Sequence, residues 1–242
     1  MTEAEWLQET NWKHQFEFLA DRMSLRKQRL AAAGFCRRIW DVILVPEVRL
    51  AVEIAEKSVD GHATVPEMEQ IRHRCREVAA RSGSEKNLRI DQQDPVRALR
   101  AELACDLGWL GACITAGQMK LEEIASRVNF AELHSRGGVS ESSLLARGAT
   151  GTAEQQQRQH EVFLDLVGNP FRPVVFDPAW RTSTTLAITA SMLETGDFRA
   201  LPILADALED AGCESDVVLR HCRGDGPHFR GCWVVDGILG KS

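Results

Sequence analysis

Residues 24–44, SLRKQRLAAAGFCRRIWDVIL, decide the fold. Leu25, Ala32, Phe35, Cys36, Ile39, Trp40 and Ile43 recur at the spacing of one helix face. Ser24 is placed to cap the start of this helix, and Pro46 to stop it or restart the next. The same reading extends downstream. A helix is predicted over 47–57, and another over 65–81 with Thr64 as N-cap and Pro66 in the first turn. The polar run 82–93, SGSEKNLRIDQQ, is expected to be a loop. Asp94 and Pro95 then open a helical run through Val96, Leu99, Leu103, Leu107 and Leu110. Gly108, Gly111 and Gly117 weaken its second half or let another helix approach closely.

Residues 135–157 hold few large apolar side chains and are expected to form a flexible linker. The expected organisation is a helical N-terminal region over 1–134, that linker, and a small helical C-terminal module over 158–242. In the module, Gly168 closes a helix through 160–167. Further helices are predicted over 183–194, 198–211, a short stretch to His221, and 228–239. The irregular loop NPFRPVVFDPAW (169–180) separates the first of these from the rest; only 174–176 within it reads as extended. The fold class is all-α.

Composition narrows the function. The net charge of −6 supplies no overall basic field for nucleic acid, and Tyr is absent. No apolar run approaches the roughly 18 residues of a membrane span. The start, MTEAEW, lacks the basic and apolar parts of an export signal. A cytoplasmic protein is expected, with its seven cysteines mostly reduced; an odd count also argues against a complete disulfide framework.

Three constellations carry candidate chemistry. His221, Cys222, His228 and Cys232 put four zinc-ligand types within twelve residues. His228 and Cys232 would share a helix face, whereas adjacent His221 and Cys222 would diverge by about 100°. The competing reading makes the cysteines small core groups and His221 a helix C-terminal cap. No cofactor is required by this sequence; zinc is the one it admits. In the proline loop, Phe171, Arg172, Phe176 and Trp180 offer an interaction surface, or else clamp neighbouring helices as an ordered loop. In the N-terminal region, Arg22, Arg26, Arg29 and Arg37 recur at helical spacing and could follow a phosphate backbone. Residues 1–45 carry seven basic against six acidic side chains, however, so a salt-bridged face is favoured there. The acids Asp206, Glu209 and Asp210 share a helix face, where pairing with Arg220 or Arg223 is favoured over a cation site.

Two stretches resemble a known family. MTEAEWL (1–7), RKQRL (26–30) and CRRIW (36–40), with NPFRP (169–173), LPILADALEDAG (201–212) and GCWVVD (231–236), resemble the two ends of a large paralogous family of uncharacterised planctomycete-type bacterial proteins. The resemblance implies a bacterial, cytoplasmic protein whose two ends belong together, and it implies no activity, ligand or catalytic residue. With no nucleophile–base–orienter set evident, the sequence favours a non-catalytic interaction or scaffold protein with a protein partner of unknown identity. The alternatives are a zinc-stabilised module or metal enzyme using the His/Cys cluster, and nucleic-acid binding through the arginines.

Overall fold

A computed structural model of the chain describes residues 1–9, 11–19, 22–91, 111, 114–115, 121–136 and 153–241, with the side chains of 86–91 and 133–136 left aside. Among the described residues the fold is all-α. The helices are α1 (Glu3–Gln8), α2 (Trp12–Leu19), α3 (Leu25–Arg38), α4 (Pro46–Ser58), α5 (Val65–Asp91), α6 (Leu121–Arg136), α7 (Ala153–Val167), α8 (Ser183–Thr195), α9 (Leu201–Asp210), α10 (Asp216–Arg223) and α11 (Trp233–Leu239). A 3₁₀ turn, Pro178–Trp180, sits in the proline loop. No described helix is long and apolar enough to cross a membrane.

The chain forms two compact units, Met1–Lys27 with Gln159–Ser242, and Gln28–Arg158. The expected division at 134 and 157 is thereby corrected, because the first 27 residues join the C-terminal module. Side chains distant in sequence bring this about. Trp12 stacks on Phe163 with ring centroids 6.1 Å apart, and Phe18 stacks on Phe171 at 5.3 Å. Such aromatic pairs contribute about 0.5–1.5 kcal/mol each beyond burial. Buried Gln15 donates to the Trp6 carbonyl and accepts from His160 Nδ1 at 2.8 Å. Glu3 accepts from Asn169 Nδ2 and pairs with Arg172. Periodicity carries no information about pairings of this kind.

In the unit Gln28–Arg158, α4 packs on α5, and Arg37 grips Glu56 through two bonds of 2.9 and 2.7 Å. Gly111 meets Cys75 and Ala51, where a Cβ would come 2.6 Å from the Cys75 sulfur; close approach is thus the use of this glycine. Gly108 and Gly117 lie outside the described residues, as does the run from Asp94 to Leu110. The expected loop at 82–93 is helix as far as Asp91. Ser84 Oγ bonds back to the Ala80 carbonyl, and straight-chain residue types are compatible with helix even where they are polar. Polarity alone therefore does not end α5. The expected linker is also partly helical: 135–136 close α6 and 153–157 open α7, while the rest falls outside the described residues. Gln155 is buried, donating to the Asn129 carbonyl and Glu132, and Arg158 pairs with Glu132 at 2.9 Å.

In the other unit, Gly168 ends α7 in the left-handed conformation (φ 67°). The proline loop then runs under the C-terminal helices. Asp177 caps the 3₁₀ turn, while Val174, Phe176 and Trp180 pack against a core of Leu201, Leu204, Leu208, Val218, Val235 and Ile238, among others. Phe176 lies over Gly237, where an added methyl would overlap its ring. Gly237→Ala is expected to destabilise this unit by about 1–3 kcal/mol through overpacking. Denaturant melts would read this as a lower midpoint with an unchanged slope; an unaltered midpoint would show that the ring yields freely.

One boundary matters for chemistry. The last helix was expected from 228 but starts at Trp233, with Cys232 as its N-cap residue. His228 and Cys232 therefore do not share a helix face.

Candidate metal centre

Four side chains from four places in the chain converge in the unit Met1–Lys27 with Gln159–Ser242. Asp165 comes from the last turn of α7 and His221 from α10. His228 comes from the irregular segment after α10, and Cys232 from the start of α11. One ligand atom from each lies within 4.8 Å of all the others. His228 Nδ1 is 2.7 Å from Asp165 Oδ1, and His221 Nε2 is 3.3 Å from the same oxygen. His221 Nε2 is also 3.1 Å from Cys232 Sγ. The other carboxylate oxygen accepts the Phe229 backbone N–H at 2.8 Å, which turns Oδ1 toward the cluster.

Burial sets the electrostatics. Asp165 is 3% exposed, and burial alone would raise its carboxyl. Hydrogen bonds from His221 and His228 outweigh that effect and hold it below the ordinary carboxylate range. Burial pushes the Cys232 thiol well above its usual value. Trp233 Nε1–H donates to His221 Nδ1 at 3.2 Å, which places the proton of the neutral ring on Nε2. His228 Nε2 is buried with no hydrogen-bond partner.

At His221 the geometry is not that of a Cys–His–Asp relay. In such a relay the acid orients one ring nitrogen while the nucleophile uses the other. Here Cys232 and Asp165 both address Nε2 of His221, and the sulfur is fully buried. Sulfur, nitrogen and oxygen donors aimed at one point can instead hold a metal ion.

Three of the four expected ligands thus come together, and Cys222 is corrected. Within α10, Cys222 turns into the apolar core with Cys213, where burial pushes its thiol up to about 12. Asp165 takes its place. Its sequence signal is an acid inside the apolar run Val162-Phe163-Leu164-Asp165-Leu166-Val167, a position that requires a buried partner.

The other candidate residues are placed as follows. Phe176 and Trp180 pack on the core, Phe171 stacks on Phe18, and exposed Arg172 pairs with Glu3 at 2.6 Å. Arg22 covers the Phe18 ring, and Arg26 forms a bidentate pair with Asp236. Arg29 donates to Ser58, and Arg37 to Glu56. Arg223 spans Asp206 and Glu209. Comparison of the chain with protein-family models, curated proteins and solved structures finds no match.

Proposed function

We propose that the unit Met1–Lys27 with Gln159–Ser242 is a zinc-binding helical module, with Asp165, His221, His228 and Cys232 as ligands. The convergence of four ligand atoms within 4.8 Å carries the reading. The donor set suits zinc: thiolate and imidazole are poor ligands for magnesium or calcium, whereas zinc accepts sulfur, nitrogen and oxygen in a tetrahedral shell. A divalent ion also balances one carboxylate and one thiolate, so the centre is neutral and can lie inside the protein.

Such an ion joins α7 to the segment carrying His228, 63 residues away, and thereby to α10 and α11. Its role is to hold a short-helix module in one arrangement. With a metal on Nε2, the single proton of the neutral His221 ring would sit on Nδ1. Trp233 must then give up its bond to that atom. The resemblance to the planctomycete-type family remains part of the same proposal; of its motifs, MTEAEWL (1–7) and NPFRP to GCWVVD (169–236) fall in one compact unit, while RKQRL (26–30) straddles the boundary and CRRIW (36–40) lies in the other.

Elemental analysis of the chain purified without chelators tests the reading. About one zinc per chain is expected, lost on Asp165→Asn or Cys232→Ser and retained on Cys222→Ala. Substoichiometric zinc in the unaltered protein overturns the proposal. Loss with Cys222→Ala alongside retention with Asp165→Asn overturns the ligand set.

A further inference from the structure

The cluster is not enclosed equally on all sides. A cavity of about 400 Å³ is lined by Asp165, His221 and His228, but not by Cys232. The sulfur side is sealed by core, and the carboxylate–imidazole side faces open space. A purely structural zinc site is closed, whereas a reactive one keeps a position for an outside ligand.

The far wall of the cavity is the Gly224-Asp225-Gly226-Pro227 segment. A Cβ added at Gly226, which lines the cavity, would meet nothing within 4 Å, so this position accepts a larger side chain. Glu161, one turn before Asp165 on α7, lines the same space, with Arg220 from α10.

Charge selects the class of ligand. The ion's two positive charges are cancelled by Asp165 and Cys232. Around them the cavity is lined by Asp225 and by two charged groups that are already engaged, Glu161 and Arg220, the latter with Asp216. Among these lining residues Arg220 is the one arginine or lysine, and its pairing with Asp216 leaves little to draw in phosphate or sulfate. Leu164 and Pro227 supply apolar wall. A small uncharged molecule with an oxygen donor and a short apolar body matches these surroundings.

We infer that the metal, held by four side chains, expands to accept one more ligand from this cavity, and that it takes there a small acid uncharged in solution, of the hydroxamic type, which binds through oxygen as its anion and releases its proton to solvent. The inference rests on the metal reading above, and the test separates the two. The full chain is loaded with cobalt(II), whose visible spectrum reports coordination number, and titrated with acetohydroxamic acid or with inorganic phosphate.

The expected result is a set of cobalt–thiolate and visible bands that acetohydroxamic acid shifts and weakens, while phosphate leaves them unchanged. Cobalt stays with the protein through gel filtration. Gly226→Trp, and Gly226→Leu as a smaller obstruction, retain the cobalt spectrum and lose the hydroxamate response. Cobalt bands indifferent to hydroxamate, or cobalt stripped by it, overturn the inference and leave the metal module standing. A response to phosphate as strong as that to hydroxamate overturns the charge argument, and a response surviving both Gly226 variants overturns the assigned cavity. Absence of any cobalt spectrum removes the metal reading itself.

Discussion

A strong chelator is expected to lower the melting temperature of the unit that holds Asp165 by roughly 10–20 °C, and zinc to restore it. The size follows from the cross-link that the ion would supply. Without it, Asp165 keeps its hydrogen bonds from His221, His228 and the Phe229 N–H, and the buried Cys232 thiol keeps its proton, so the loss is that of the tie and not of charge compensation. A loss of about 2–4 kcal/mol moves the midpoint of a unit of this size by that amount. On the proposed reading zinc would link segments that have few other covalent or sheet-like ties, and its binding free energy would count toward folding. The core of Leu201, Leu204, Leu208, Val235 and Ile238 keeps the loss below that of a zinc finger, which has almost no core. Cys232→Ser should melt at the chelated temperature whether or not zinc is added, and Cys222→Ala should still respond to zinc. Tryptophan emission should change on chelation, and the change should vanish in Trp233→Phe, since His221 Nδ1 is the acceptor of its ring N–H. A melt insensitive to chelator would mean that the four groups satisfy one another by hydrogen bonding alone.

Most helices were legible in the sequence because each buries one face, and a buried face imposes its period on the residues. Local caps were legible for the same kind of reason. Ser24 accepts from Lys27, Thr64 exchanges bonds with Glu67, and Gly168 ends α7, all within four residues. The site was only half legible. That His221 and Cys222 cannot serve one ion follows from helix phase, but which of them faces the core depends on how α10 packs. Asp165 lies far from the His/Cys cluster in sequence, and no spacing rule reaches it. The arginines show the converse problem. Their spacing suggests a cationic stripe, yet Arg26 and Arg37 are consumed by Asp236 and Glu56, partners 210 and 19 residues away. Charge read along one helix says little until the acids opposite it are known.

Asp236→Asn is expected to cost about 3–5 kcal/mol, the range for breaking a buried ion pair from one side. Asp236 is 1% exposed and takes Arg26 at 2.6 and 3.0 Å and Lys27 at 2.7 Å. An amide keeps the shape but leaves two cations facing a neutral group that donates where it must accept. A double-mutant cycle with Arg26→Met should show strong coupling, and additive losses would mean the pair is incidental. Lys27 carries the effect to the proposed ligand cluster. Its ammonium also donates to the Leu166 carbonyl at 2.9 Å and the Gly231 carbonyl at 2.6 Å. Leu166 follows Asp165 and Gly231 precedes Cys232, so one side chain holds the backbone beside two of the four ligands. Lys27→Met should therefore weaken zinc binding by about 10–100-fold, as loss of an outer partner does in other sites, as well as destabilising the unit. Competition with a chromophoric chelator would measure this in the folded protein. Unchanged affinity in a folded Lys27→Met protein would confine the lysine to stability. Arg26, one of the four arginines of the candidate nucleic-acid stripe, and its neighbour Lys27 would on this argument serve to hold the proposed ligands in place.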